Sequence, residues 1–188
     1  MTKQKQVNFL DLFSLFFRTK LFENKVNVPA LIGFNAVFLI LISFFSGLKE
    51  QLGVGNFLFG FFGVLIGMPL IIFLIFGLMY ITIQAFERTT HGFLESVLVF
   101  SSIFLPMAFI VHILNFISSF TFNSVLLSLV GFIIFLIGVY FIYLVVSHLK
   151  NYYQVSGYRI FFSFILTTII ILILSIAQYL VYLLRSLI

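Results

Sequence analysis

Glu87-Arg-Thr-Thr-His91-Gly-Phe-Leu-Glu95 is the stretch on which the fold turns. It is the longest charged patch after the N-terminal segment, and on either side of it the chain is almost entirely Phe, Leu, Ile and Val. A chain this apolar must turn here, face water and reinsert, so the patch reads as a cytoplasmic corner between two membrane-spanning helices. Downstream, the apolar run to Asn115 is broken at Pro106.

Outward from this corner the composition tells the same story. The 188 residues are 63% hydrophobic and 8% charged, where an ordinary soluble domain carries roughly 25% charged residues and can keep its surface wet. Mean hydropathy is +1.28, and the length suits one bundle of about five helices. The absence of Cys excludes disulfides, thiolate nucleophiles and thiolate-held metals. The net charge is +5, but five of the ten Lys and Arg, namely Lys3, Lys5, Arg18, Lys20 and Lys25, precede the first apolar span. That placement points to an anionic inner-leaflet surface and to membrane lipids as partners, and away from nucleic acid.

Taken in order, residues 9 to 20 place apolar side chains at 9, 10, 12, 13, 16 and 17, with Asp11, Ser14 and Arg18 on the opposite stripe. The segment is too short and too charged to span, so residues 1–28 read as a basic cytoplasmic segment with an interfacial amphipathic helix. An irregular apolar tail packed under the bundle is the alternative. Asp11 interrupts the run and no small-x-small site follows, so this is not read as a cleavable signal. Pro29 then opens the first span, being favoured at the first helical position. Residues 29–188 form the transmembrane domain, with spans at about 29–48, 57–86, 94–117, 125–147 and 158–184. The expected class is therefore an all-α polytopic membrane bundle of five helices.

Orientation follows from the basic residues of the short loops. The N-terminal five, Arg88, Lys150 and Arg159 fall on one side, and Lys49 and Arg185 on the other. The positive-inside rule places the N-terminus inside and the C-terminus outside. Tyr152, Tyr153 and Tyr158 then form an inner interfacial belt, and Tyr179 and Tyr182 an outer one.

Ionisable groups deep in a span are the usual mark of a transport or catalytic site, and none lies near the middle of any span. His112 sits toward the outer end of the third span, as a hydrogen-bonded structural histidine or, alternatively, a ligand or proton site. Glu87 and Glu95 read as solvated helix-end charges. The three His are too dispersed for a metal site, and nucleophile-elbow, zincin and P-loop motifs are absent. Cofactor, metal and catalytic residues are accordingly expected to be none. The remaining signals concern packing. Gly60, Gly63 and Gly67 in the second span and Ser128, Gly131 and Gly138 in the fourth permit close helix approach, within the bundle or between copies in a homo-oligomer. Pro69 and Pro106 are expected kinks, with Ser101, Ser102, Thr167 and Thr168 available for the freed backbone groups.

Three stretches, Asn27-Val-Pro29, His91-Gly-Phe-Leu-Glu-Ser-Val-Leu-Val-Phe-Ser-Ser-Ile-Phe-Leu-Pro106 and His148-Leu-Lys-Asn-Tyr-Tyr-Gln-Val-Ser-Gly-Tyr-Arg159, together resemble the Yip (Ypt-interacting protein) family of small five-span membrane proteins, in a short form. The resemblance implies a non-enzymatic protein of a prokaryotic inner membrane, acting through membrane organisation or partner assembly. Glu87, Arg88, His91, Glu95, Lys150 and Arg159 are the candidate contacts for a protein partner. A small transporter or channel subunit built on the Pro-bent spans is the alternative reading.

Overall fold

The computed structural model describes residues 9–16, 27–49, 54–86, 91–120 and 124–186, with side chains considered up to Ile176. It is all-helical. A short α1 (Phe9–Leu12) runs into a single 3-10 turn (Phe13–Phe16) and precedes five long helices: α2 (Val28–Lys49), α3 (Val54–Phe86), α4 (Phe93–Ser118), α5 (Ser124–Tyr153) and α6 (Gly157–Ser186). All five are long and apolar enough to cross a membrane, and the protein is an integral membrane protein. At about 1.5 Å per residue the 22 residues of α2 already match a hydrocarbon core of about 30 Å.

Local chemistry sets the helix ends. Asn27 caps α2: its Oδ1 accepts from the Ala30 N–H at 3.5 Å and its carbonyl from the Leu31 N–H at 3.1 Å. Pro29 is thus the second helical residue, still within the first turn where its missing N–H costs nothing. Gly92 precedes α4 in extended conformation, and its carbonyl accepts from both the backbone N–H (3.0 Å) and the Oγ (2.9 Å) of Ser96. The fourth long helix passes the expected end at 147 and stops only at Tyr153, where Gln154 takes a left-handed φ of 56°.

α4 is the central pillar. Half of its apolar stretch is buried, whereas the corresponding stretch of α5 buries none. α2 packs on α3 and α4, α3 also on α4 and α6, and α5 on α4 and α6. Phenylalanines interlock these contacts: Phe38 and Phe45 of α2 meet Phe109 of α4, Phe76 of α3 meets Phe100 and Phe104, and Phe104 meets Phe141 of α5. Every buried residue of α5 lies between Leu144 and Tyr153. That helix is held by its C-terminal end and leaves its other half to the surroundings.

Among the described residues, polar ties also join the helices. The Asn35 amide donates to the Leu98 carbonyl at 3.1 Å and accepts from Ser102 Oγ at 3.0 Å, joining α2 to α4. Thr82 Oγ1 lies 3.2 Å from Thr167 Oγ1 and 3.4 Å from the Ser163 carbonyl, joining α3 to α6. The serines and threonines expected to serve the prolines do otherwise. Ser101 donates to the Val97 carbonyl and Thr168 to that of Phe164, while Ser102 shares its one hydroxyl hydrogen between Asn35 Oδ1 and the Leu98 carbonyl. A helical hydroxyl points toward the N-terminus and reaches its own preceding turn first. Pro69 and Pro106 both lie within unbroken helices.

The glycine expectation also needs correction within the single chain. A Cβ at Gly63, Gly67, Gly131 or Gly138 would meet nothing within 4 Å, and Ser128 is exposed, so no helix of the bundle closes on these positions. Close approach occurs at Gly47, where a Cβ would lie 2.9 Å from the Phe57 ring and carbonyl, and at Gly77, 3.3 Å from Phe93. Finally, the N-terminal helix packs on the bundle. Leu12 is fully buried, and Phe9 and Phe13 stack edge-to-face on Phe34 of α2.

Candidate functional site

The α3–α4 end of the bundle gathers most of the polar and aromatic chemistry. α3 brings Tyr80, the turn before α4 brings His91, the first turn of α4 brings Glu95 and Ser96, and the end of α5 brings His148, Tyr152 and Tyr153. The His91 ring lies on that of Tyr152 with centroids 4.0 Å apart, and Tyr153 stands edge-on to it at 5.6 Å. Tyr80 donates its hydroxyl to the His91 carbonyl at 3.1 Å while its ring packs on Phe93. Glu95 faces Tyr152 from the first turn of α4. The end of α5 thus holds the imidazole of a short turn, and α3 holds that turn's backbone.

Of the sequence candidates, His91 and Glu95 enter this cluster, half-buried. Lys150 and Arg159 flank it at the α5–α6 turn. Lys150 lines a small polar hollow with Asn151 and Gln154, and Arg159 donates to the Tyr158 hydroxyl at 3.3 Å with its guanidinium over that ring. Glu87 and Arg88 lie outside the described residues. Sequence reasoning missed Tyr80 and the fully buried His148, and it assigned Tyr152 and Tyr153 to an inner interfacial belt. Both rings are buried because α5 continues past the expected boundary and packs its last two turns on α4; Tyr158 alone of the three is exposed. The available signal was spacing: His148 and Tyr152 are one turn apart and share a helix face.

A second feature lies between α3, α4, α5 and α6, where α5 splays away. It is a cavity of about 490 Å³ lined by Gly63, Gly67 and Phe76, by Phe104 and Phe141, and by Phe164, with His112, Thr167 and Thr168 as its polar members. The His112 Nδ1 lies 2.9 Å from the Ala108 carbonyl, so it carries the hydrogen and leaves Nε2 as an acceptor in the neutral ring. Among the described residues no three His, Asp or Glu side chains gather to hold a metal ion.

No family model matches the chain, and neither a curated protein nor a solved structure matches it.

Proposed function

We propose that the protein works without catalysis, as a membrane-organising or partner-assembling protein whose working surface is the α3–α4 end of the bundle. One observation carries this reading: the half-buried His91, held on the buried rings of Tyr152 and Tyr153, gathers with Glu95, Lys150 and Arg159 at that end, while between the two ends the described spans hold no Lys, Arg, Asp or Glu. The likeness to the Yip family supports a non-enzymatic role, and the bias of Lys and Arg supports a cytoplasmic position for this end in a prokaryotic inner membrane. Charges at such a rim tune association more than they hold a fold together.

The test reverses Glu87, Arg88 and Glu95 together in the full chain and follows a photo-crosslinker placed at Lys150. The expected result is normal accumulation and five-span insertion with loss of the crosslinked partner. Crosslinking as strong as in the parent chain overturns the reading. So does solute flux in proteoliposomes that His112→Ala or Pro106→Ala abolishes, which would make the protein a transporter.

A further inference from the structure

At the opposite end of the bundle, a second hollow of about 250 Å³ adjoins the cavity between α3, α4, α5 and α6; it is lined by Phe45, Ser46 and Lys49 of α2, Gly60 and Val64 of α3, and Asn115 of α4. His112 and Val64 border both spaces. One space is apolar and lies at the depth of the spans, whereas the other carries an ammonium, an amide and a hydroxyl at the last turn of α2. We propose that the two together hold one bilayer lipid with an anionic headgroup, its acyl chain in the larger cavity and its phosphate at Lys49 and Asn115, in the leaflet at the α2–α3 end.

Several observations favour this occupant. A space of this size is within the range of built ligand sites. Water would need two to four polar partners, and the larger cavity offers too few for more than its edges. Left empty, its lining would lose dispersion contacts on one side, so an alkyl chain, abundant at that depth, is the natural filling. A way in exists at the glycines: Gly63 and Gly67 line the cavity and also a shallow groove on α3 with Leu58, Phe59 and Ile66. A Cβ at either glycine would meet nothing, which leaves a gap in the wall between cavity and bilayer. The charge decides the headgroup. Lys49 is a point charge suited to phosphate, and the Asn115 amide and Ser46 hydroxyl can donate beside it. This proposal is independent of the partner surface at the other end.

The chain contains no Trp, so a single Trp reports from one place. Phe104→Trp, or Ile171→Trp should the first fail to fold, puts the fluorophore in the cavity wall; Phe132→Trp puts it on the exposed face of α5. Each full-length variant is reconstituted in phosphatidylcholine vesicles containing a minor fraction of phosphatidylglycerol, with brominated acyl chains on either the one lipid or the other at equal mole fraction. The cavity Trp is expected to be quenched several-fold more by brominated phosphatidylglycerol, with no such preference at position 132. Lys49→Gln should abolish the preference, and Gly67→Leu, which grows into the cavity, should reduce quenching by both lipids. Equal quenching by the two lipids at position 104 overturns the proposal. So does a preference that survives both Lys49→Gln and Gly67→Leu, or protection from quenching that rises with protein density, which would seat a second copy in the cavity.

Discussion

Gly47 and Gly131 carry the same residue type in the same kind of helix, and their neighbourhoods separate them. At Gly47 the backbone of α3 comes so close that a methyl group would press on the Phe57 carbonyl, an atom that cannot rotate aside. At Gly131 the methyl group would enter open space. Gly47→Ala is therefore expected to destabilise the fold by about 1–3 kcal/mol, the usual cost of overpacking, while Gly131→Ala and Gly138→Ala leave stability unchanged or raise it slightly through helix propensity. Thermal unfolding in detergent distinguishes the two; a neutral Gly47→Ala would refute the α2–α3 contact. The same contrast explains what was legible at this scale. A small residue in a span says that close approach is allowed, and Gly63-x-x-x-Gly67 met that condition, yet the approach occurs where a partner helix happens to arrive. His91 and Glu95 were legible as polar residues at a turn. The tyrosines around His91 were not, because Tyr152 and Tyr153, which meet its ring, and Tyr80, which meets its backbone, come from α5 and α3.

Among the elements, α1 shows how a correct pattern can have an unexpected partner. Its apolar stripe was readable from spacing, and an apolar stripe beside a membrane reads as lipid-facing. The structure turns Leu12 and Phe9 instead toward α2, where the Phe9 ring packs edge-to-face on Phe34 and lies beside Gly33. Lipid and a neighbouring helix are equally apolar, so hydropathy cannot choose between them; the fit of the Phe9 and Phe13 rings on Phe34 does. Leu10 remains largely exposed on the other side of the same turn. Leu12→Asp would bury a carboxylate, which is costly without a partner, and should release the segment, whereas Leu10→Asp should leave it docked. Limited proteolysis between residues 17 and 26 is the measurement: faster cleavage in Leu12→Asp alone is expected, and equal rates would mean that the segment is held by lipid.

For the whole molecule, the number of crossings was written in the chain and the neighbours of each helix were not. Where nearly every face is apolar, periodicity carries little information, and lipid competes with helix contacts on equal terms. Neighbours are then chosen by interlocking phenylalanines and by the polar ties at Asn35 and Thr82, which depend on three-dimensional register. The crossing number has one weak point, α3, whose 33 residues would extend about 50 Å at 1.5 Å per residue, well beyond a hydrocarbon core of about 30 Å. Pro69 could divide such a segment into a re-entrant pair, but it lies inside one continuous helix, so α3 crosses once and its excess is taken up by tilt or by protrusion at an end. Five crossings would carry the two ends of the chain to opposite sides. Reporter domains fused before Thr2 and after Ile188 are then expected to read out on opposite faces, and the distribution of Lys and Arg predicts N-inside and C-outside. A single reporter inserted between Glu87 and His91 then discriminates the failures. Both termini on one face with the insert still inside would mean that a crossing after α3 is missing, whereas an insert found outside would mean that α3 itself turns back at Pro69.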